Sequence, residues 1–106
     1  EALTAQQGWV LRNRDFGFDQ TVQDVTASRA LGTTYTNSTG KPILISVTVG
    51  GLNNSAITTL TVNGVAAARV GNSSQWGQDK NICYVIPPSS TYSVVGSLII
   101  LWTELR

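Results

Sequence analysis

Six carboxylate side chains stand in this sequence without a single histidine to work beside them. Asp15, Asp19, Asp24, Asp79 and Glu104 could supply the acid and base of glycoside hydrolysis, a reaction that needs only two carboxyl groups across one bond. Their plainer reading is as solvated loop carboxylates, N-caps and turn acceptors, and it is the one taken here. Asp15-Phe16-Gly17-Phe18-Asp19 suggests a calcium loop but lacks the repeated oxygen spacing of one. Nucleophile and base pairs built on histidine are absent from the sequence, as are zinc ligand pairs. Cys83, the single cysteine, lies in the run Ile82-Cys83-Tyr84-Val85-Ile86 and is expected to be a small buried hydrophobe, because no histidine activates it. Gly50-Gly51 and Gly71 are turn glycines outside any phosphate-loop pattern. The residues therefore suggest no catalytic group, no cofactor and no metal.

Binding is better served than catalysis. Asn72, Ser73, Ser74, Gln75, Trp76, Gln78 and Asp79 place one large ring among amides and hydroxyls. A ring covers apolar C–H faces while amides satisfy sugar hydroxyls, so this loop suits a carbohydrate or protein surface. The competing expectation is that Trp76 folds inward as an anchor for the loop.

The elements that must position these residues are strands. Ile43, Ile45, Val47 and Val49 alternate with Ser46 and Thr48, the pattern of a half-buried strand. Turn chemistry from Asn37 to Gly40 precedes it, and Tyr35-Thr36-Asn37 is expected to fold back beside it. Ala56 to Val62 and Val65 to Val70 flank Asn63-Gly64, the pair that suits the two positive-φ positions of a type I′ hairpin turn. Further strands are expected at Ile82 to Ile86, at Thr91 to Val95 with Tyr92 and Val94 inward, and over the last segment. Trp9-Val10-Leu11 and Thr21 to Thr26 read as strand-like, with Phe16 and Phe18 packing on the sandwich edge. Short strands with turns every 8 to 12 residues predict an all-β fold, an antiparallel β-sandwich or barrel, of which a jelly-roll-like β-sandwich is the one expected. Leu98 to Trp102 are five consecutive large apolar residues, so both faces of that strand need cover, from a packed layer or from another subunit.

Composition narrows the partners. With 106 residues the chain fits one domain. Seven basic against six acidic residues, none clustered, make nucleic acid and anionic membrane poor partners. No apolar run approaches the roughly 20 residues of a membrane-spanning helix. The first seven residues lack the pattern of a secretory signal, and the expectation is a fragment of a longer protein.

Several motifs carry a resemblance. Ala27-Ser28-Arg29, Gly32 through Ile43, Thr61-Val62-Asn63-Gly64-Val65, Val85-Ile86-Pro87-Pro88 with Thr91-Tyr92, and the closing Trp102-Thr103-Glu104-Leu105-Arg106 occur in an order that resembles the C-terminal domain of tailed-bacteriophage tail fibre and tail tip proteins. The resemblance covers residues 27–106. It implies a homotrimer at the distal end of a fibre on the virion, binding a lipopolysaccharide glycan or an outer-membrane protein during host attachment. Residues 1–26 would then form a connection to an upstream shaft plus the first strand, and 27–106 the receptor-binding sandwich. Tyr35, Pro42, Gly64, Pro87 and Trp102 would hold the fold, with receptor contacts in loops that the shared pattern does not fix. Assembly in the host cytoplasm, as in that family, suits a lone reduced cysteine. A glycan-cleaving tail spike domain and a trimerisation cap without receptor binding are the two other functions this resemblance admits.

Overall fold

A computed structural model of the chain describes residues 17, 19–50, 57–71, 79–96 and 98–106. Eight strands follow in order: β1 (Val22–Asp24), β2 (Tyr35–Thr36), β3 (Ile43–Gly50), β4 (Ile57–Val62), β5 (Val65–Gly71), β6 (Asp79–Ile86), β7 (Thr91–Val95) and β8 (Ile99–Leu105), with a single 3-10 turn at Thr26–Ser28. The described residues contain no α-helix. All strand pairs are antiparallel, and they form two four-stranded sheets with the orders β1-β8-β3-β6 and β2-β7-β4-β5.

The alternation in β3 sets the core. Ile43, Ile45, Val47 and Val49 are buried, and they meet Leu60, Val62, Tyr92 and Val94 of the other sheet around Trp102. Thr58, Leu60 and Val62 share the inner face of β4, and Tyr92 and Val94 that of β7, as the two-residue period requires. The β4–β5 turn has φ 52° at Asn63 and 79° at Gly64, the signs a type I′ turn needs. Asn63 also binds across to the next strand: its amide nitrogen donates to Ser90 Oγ (3.0 Å) and its side-chain oxygen accepts from the Thr91 N–H (2.9 Å).

Two expectations are corrected. Tyr35-Thr36 does not lie beside β3: β2 pairs with β7 in the other sheet, Tyr35 opposite Tyr92. The reason is Asn37, fully buried, whose side-chain nitrogen donates to the carbonyls of Lys41, Ile86 and Pro87 at 2.7, 3.0 and 3.2 Å. Its oxygen accepts from Thr39, so the turn serves as a crossover between sheets instead of a hairpin. Cys83 is exposed, not buried, because the two-residue period that turns Ile82 and Ile86 of β6 inward turns Cys83 to the outer face of its sheet. Among the described residues, the last segment is packed on one face. Trp102 is buried and Ile99 packs against the core, whereas Leu98, Ile100 and Leu101 are 52%, 47% and 43% exposed. A register shift against Thr48 and Val49 makes this possible, since the bulge breaks the alternation. Trp9 to Leu11, Phe16 and Phe18 lie outside the described residues.

Candidate functional site

The strand ends sort the connections into two groups. Gly50 closes β3 directly opposite Asp79, which opens β6. Ile57 opens β4 opposite Gly71, which closes β5. The Gly50 N–H donates to the Leu98 carbonyl at 2.8 Å, just before β8 begins. The strands that bracket residues 51–56 and 72–78, and the passage from β7 to β8, therefore end together at one end of the two sheets. The opposite end holds the Asn63-Gly64 turn, the Pro87 to Ser90 turn and the Asn37 crossover. There Thr21, just before β1, and Arg106 also exchange backbone hydrogen bonds of 3.3 and 3.0 Å.

Close backbone packing builds the first of these ends. Gly96, at φ 152°, sits so near β4 that a Cβ there would lie 2.5 Å from the Thr58 Cα and 2.7 Å from the Ile57 carbonyl oxygen, and would also strike the Thr58 hydroxyl. Only glycine permits that approach. A Cβ on Gly50 would meet Ile100 Cδ1 at 3.1 Å. Of the residues selected from sequence, Asp79 stands at this end, exposed. Asn72, Ser73, Ser74, Gln75, Trp76 and Gln78 lie outside the described residues, but Gly71 and Asp79 fix both points from which their segment departs.

The described carboxylates are not gathered into a cation site, and Asp15 lies outside the described residues. Asp19 and Asp24 are exposed, as is Asp79, and the described residues hold no group of three His, Cys, Asp or Glu side chains that could bind a metal. Asp24 is the turn acceptor expected of it. The hydroxyl and then the N–H of Thr26 bind its carboxylate at 2.6 and 3.0 Å and hold its pKa below the ordinary carboxylate value.

Glu104 departs from the solvated reading altogether. It is fully buried between the sheets. Arg29 holds it with a two-pronged pair, Nε to Oε2 at 3.1 Å and Nη2 to Oε1 at 3.0 Å. Arg106 Nη1 donates to Oε1 at 2.8 Å, while Tyr92 Oη and Trp102 Nε1 donate to Oε2 at 2.9 and 3.1 Å. Burial alone would raise its pKa. Hydrogen bonds from Arg29 and Tyr92 and the charges of Arg29 and Arg106 outweigh that, and the carboxyl is held below its ordinary value. The same neighbourhood pushes Tyr92 up to about 12, by burial first and by the negative Glu104 second. Arg29 also lies 4.6 Å above the Tyr35 ring, which packs at 5.9 Å on Tyr92 and at 6.0 Å edge-on to Trp102. Both oxygens of Glu104 are thus occupied by donors from β7, β8 and the strap between β1 and β2. The chemistry of this cluster is that of a clamp joining the sheets.

The pattern defines a class: an all-β protein of two antiparallel four-stranded sheets, clamped through Glu104 near the end where β1 begins. No protein-family model, no curated protein and no solved structure matches this chain.

Proposed function

We propose that this chain is a distal tail fibre domain of a tailed bacteriophage that binds a bacterial surface receptor, a lipopolysaccharide glycan or an outer-membrane protein, and works as a homotrimer. The observation that carries the reading is the polarity of the fold. The first strand, β1, begins beside Arg106 at one end, and the connections 51–56 and 72–78 depart from the other. A module joined to an upstream fibre at the first end presents its loops outward, where a cell surface is met. Loops on a rigid scaffold are where binding residues concentrate.

The strand order supports a jelly-roll arrangement. Only β4 and β5 follow one another within a sheet, and every other connection crosses between sheets. Such double-sheet folds serve as lectin and viral surface domains. Low charge and many hydroxyls and amides suit neutral recognition, and Trp76 within 72–79 is the proposed anchor. Symmetry in a trimer would repeat each weak contact and raise avidity. The test is saturable binding of the fluorescently labelled chain to outer-membrane-bearing bacteria, with purified lipopolysaccharide as competitor. Binding without release of saccharide is the expected result. Saccharide release would make the domain an enzyme, and failure to bind any strain of a broad panel would leave a trimerisation cap.

A further inference from the structure

Asn63-Gly64 is the one Asn-Gly pair in the sequence. An asparagine before glycine is chemically labile, because no side chain shields the glycine nitrogen from the carboxamide carbon one residue back. The Gly64 nitrogen gives up its proton and bonds to Asn63 Cγ, while the Cγ–Nδ2 bond breaks and ammonia leaves with that proton. Water then opens the five-membered imide. Cleavage between the Gly64 nitrogen and Cγ leaves aspartate, whereas cleavage between that nitrogen and the Asn63 main-chain carbonyl carbon leaves isoaspartate, with the backbone rerouted through Cβ. Water is the only co-reactant.

The fold leaves this pair wet but ties it down. Asn63 and Gly64 are both exposed, and a Cβ on Gly64 would meet no atom within 4 Å, so burial does not shield them. Three hydrogen bonds to one short stretch of chain do. Asn63 Nδ2 donates to Ser90 Oγ at 3.0 Å, Asn63 Oδ1 accepts from the Thr91 N–H at 2.9 Å, and the Asn63 N–H donates to the Thr91 carbonyl at 3.0 Å. Ser90 is itself anchored, 6% exposed, with its carbonyl accepting from the buried Asn37 N–H at 2.9 Å. Both ends of the Asn63 carboxamide are therefore held by a fixed partner. Closing the imide ring swings the Gly64 nitrogen about the Asn63 Cα–C bond, out of the left-handed turn recorded by φ 52° and 79°. The turn has to open before the reaction can proceed.

We propose that Asn63-Gly64 is a latent self-modification site, kept as an amide by its ties to Ser90 and Thr91 and converted to aspartate and isoaspartate whenever the β4–β5 turn opens. The two products differ in consequence. Aspartate keeps an acceptor for the Thr91 N–H and can also accept from the Ser90 hydroxyl, so the hairpin survives. Isoaspartate adds a backbone atom to a two-residue turn and breaks the Val62–Val65 pairing. Either product adds one negative charge and cancels the formal charge of +1.

The test is peptide mapping by mass spectrometry, with isoaspartate read by enzymatic methylation, after incubation of the 106-residue chain in mildly alkaline buffer, folded and in guanidinium. In guanidinium Asn63 should convert ahead of the Asn-Ser pairs at 37, 54 and 72, which serve as internal standards. In the folded chain its conversion should be at least roughly tenfold slower, following the population of the open turn. Ser90→Ala, folded, should convert roughly two- to tenfold faster than folded wild type, the population change that one hydrogen bond controls. If Ser90→Ala does not fold, wild type at low guanidinium takes its place, and conversion should rise in step with hydrogen exchange of the Thr91 N–H, which the same opening frees. Equal rates in the folded and unfolded chain, a wild-type rate in folded Ser90→Ala, conversion that does not follow Thr91 exchange, or an unfolded chain in which Asn63 lags the Asn-Ser pairs overturns the proposal. No receptor takes part, so the result is separate from that of receptor binding.

Discussion

Replacing Glu104 with Gln removes one negative charge from beneath two guanidinium groups while keeping the shape of the side chain. Arg29 and Arg106 then share a neutral acceptor, and the amide turns one of its own N–H groups toward donors that already fill the site. Glu104 has no exposed surface through which water could compensate. Breaking one side of a buried pair costs about 3 to 5 kcal/mol. A domain of this length has a total stability of about 5 to 15 kcal/mol, so the variant should lose a large share of it. At about 4 to 8 °C per kcal/mol, the midpoint should fall by about 12 to 40 °C. Urea denaturation followed by tryptophan fluorescence reads the effect directly, since Trp102 donates to this carboxylate. Glu104→Gln within about 0.5 kcal/mol of wild type would refute the reasoning, since that is the scatter of ordinary surface substitutions.

Other expected outcomes follow from the same geometry. The folded pKa of Glu104 is depressed, so its contribution is complete above the ordinary value of 4.5 and disappears as pH falls through the lower folded value. Acid titration of the melting temperature should show this loss in wild type and not in Glu104→Gln. The folded pKa of Tyr92 is raised from 10.0 to about 12, so its contribution is complete below pH 10 and is lost as pH climbs toward 12. Ultraviolet titration should find a late phenolate step that Tyr92→Phe removes. Gly64→Val places a β-branched residue at φ 79° and should cost about 1 to 3 kcal/mol in chemical denaturation. Gly96→Ala drives a methyl group into the backbone of Thr58 and should cost at least about 2 kcal/mol, with a wild-type melting curve counting against the close approach.

The parts of the fold legible in sequence were those governed by local rules. Alternation in Ile43 to Val49 and the Asn63-Gly64 pair specify a strand and a turn without reference to anything distant, and both stand as expected. Sheet membership was not legible. Tyr35 and Thr36 are too short a run to encode a partner, and their placement depends on Asn37 reaching Ile86, 49 residues away. A continuous apolar run such as Ile82 to Ile86 reads as buried, whereas a strand with one solvated face turns alternate residues, Cys83 among them, outward. The Glu104 clamp left one usable signal: with Trp102 inward, period two turns residue 104 inward as well. Its partner Arg29 lies 75 residues away and could not be named from spacing. Of the candidate binding loop, the structure places Asp79 and both flanks at the end opposite the start of β1, which is the part of the site that topology alone decides.

The central claim is tested most directly by comparing Trp76→Ala with wild type in adsorption to a bacterial strain that the wild-type domain binds. An aromatic anchor in an interface is worth about 2 kcal/mol or more, so the variant should adsorb at least roughly 30-fold more weakly per site. Its melting temperature and mass should be those of wild type. Gly64→Ala, a change at the opposite end, should leave the affinity of the folded fraction unchanged. Adsorption of Trp76→Ala at wild-type affinity, with a large drop in melting temperature, would instead make Trp76 a structural plug and contradict the account.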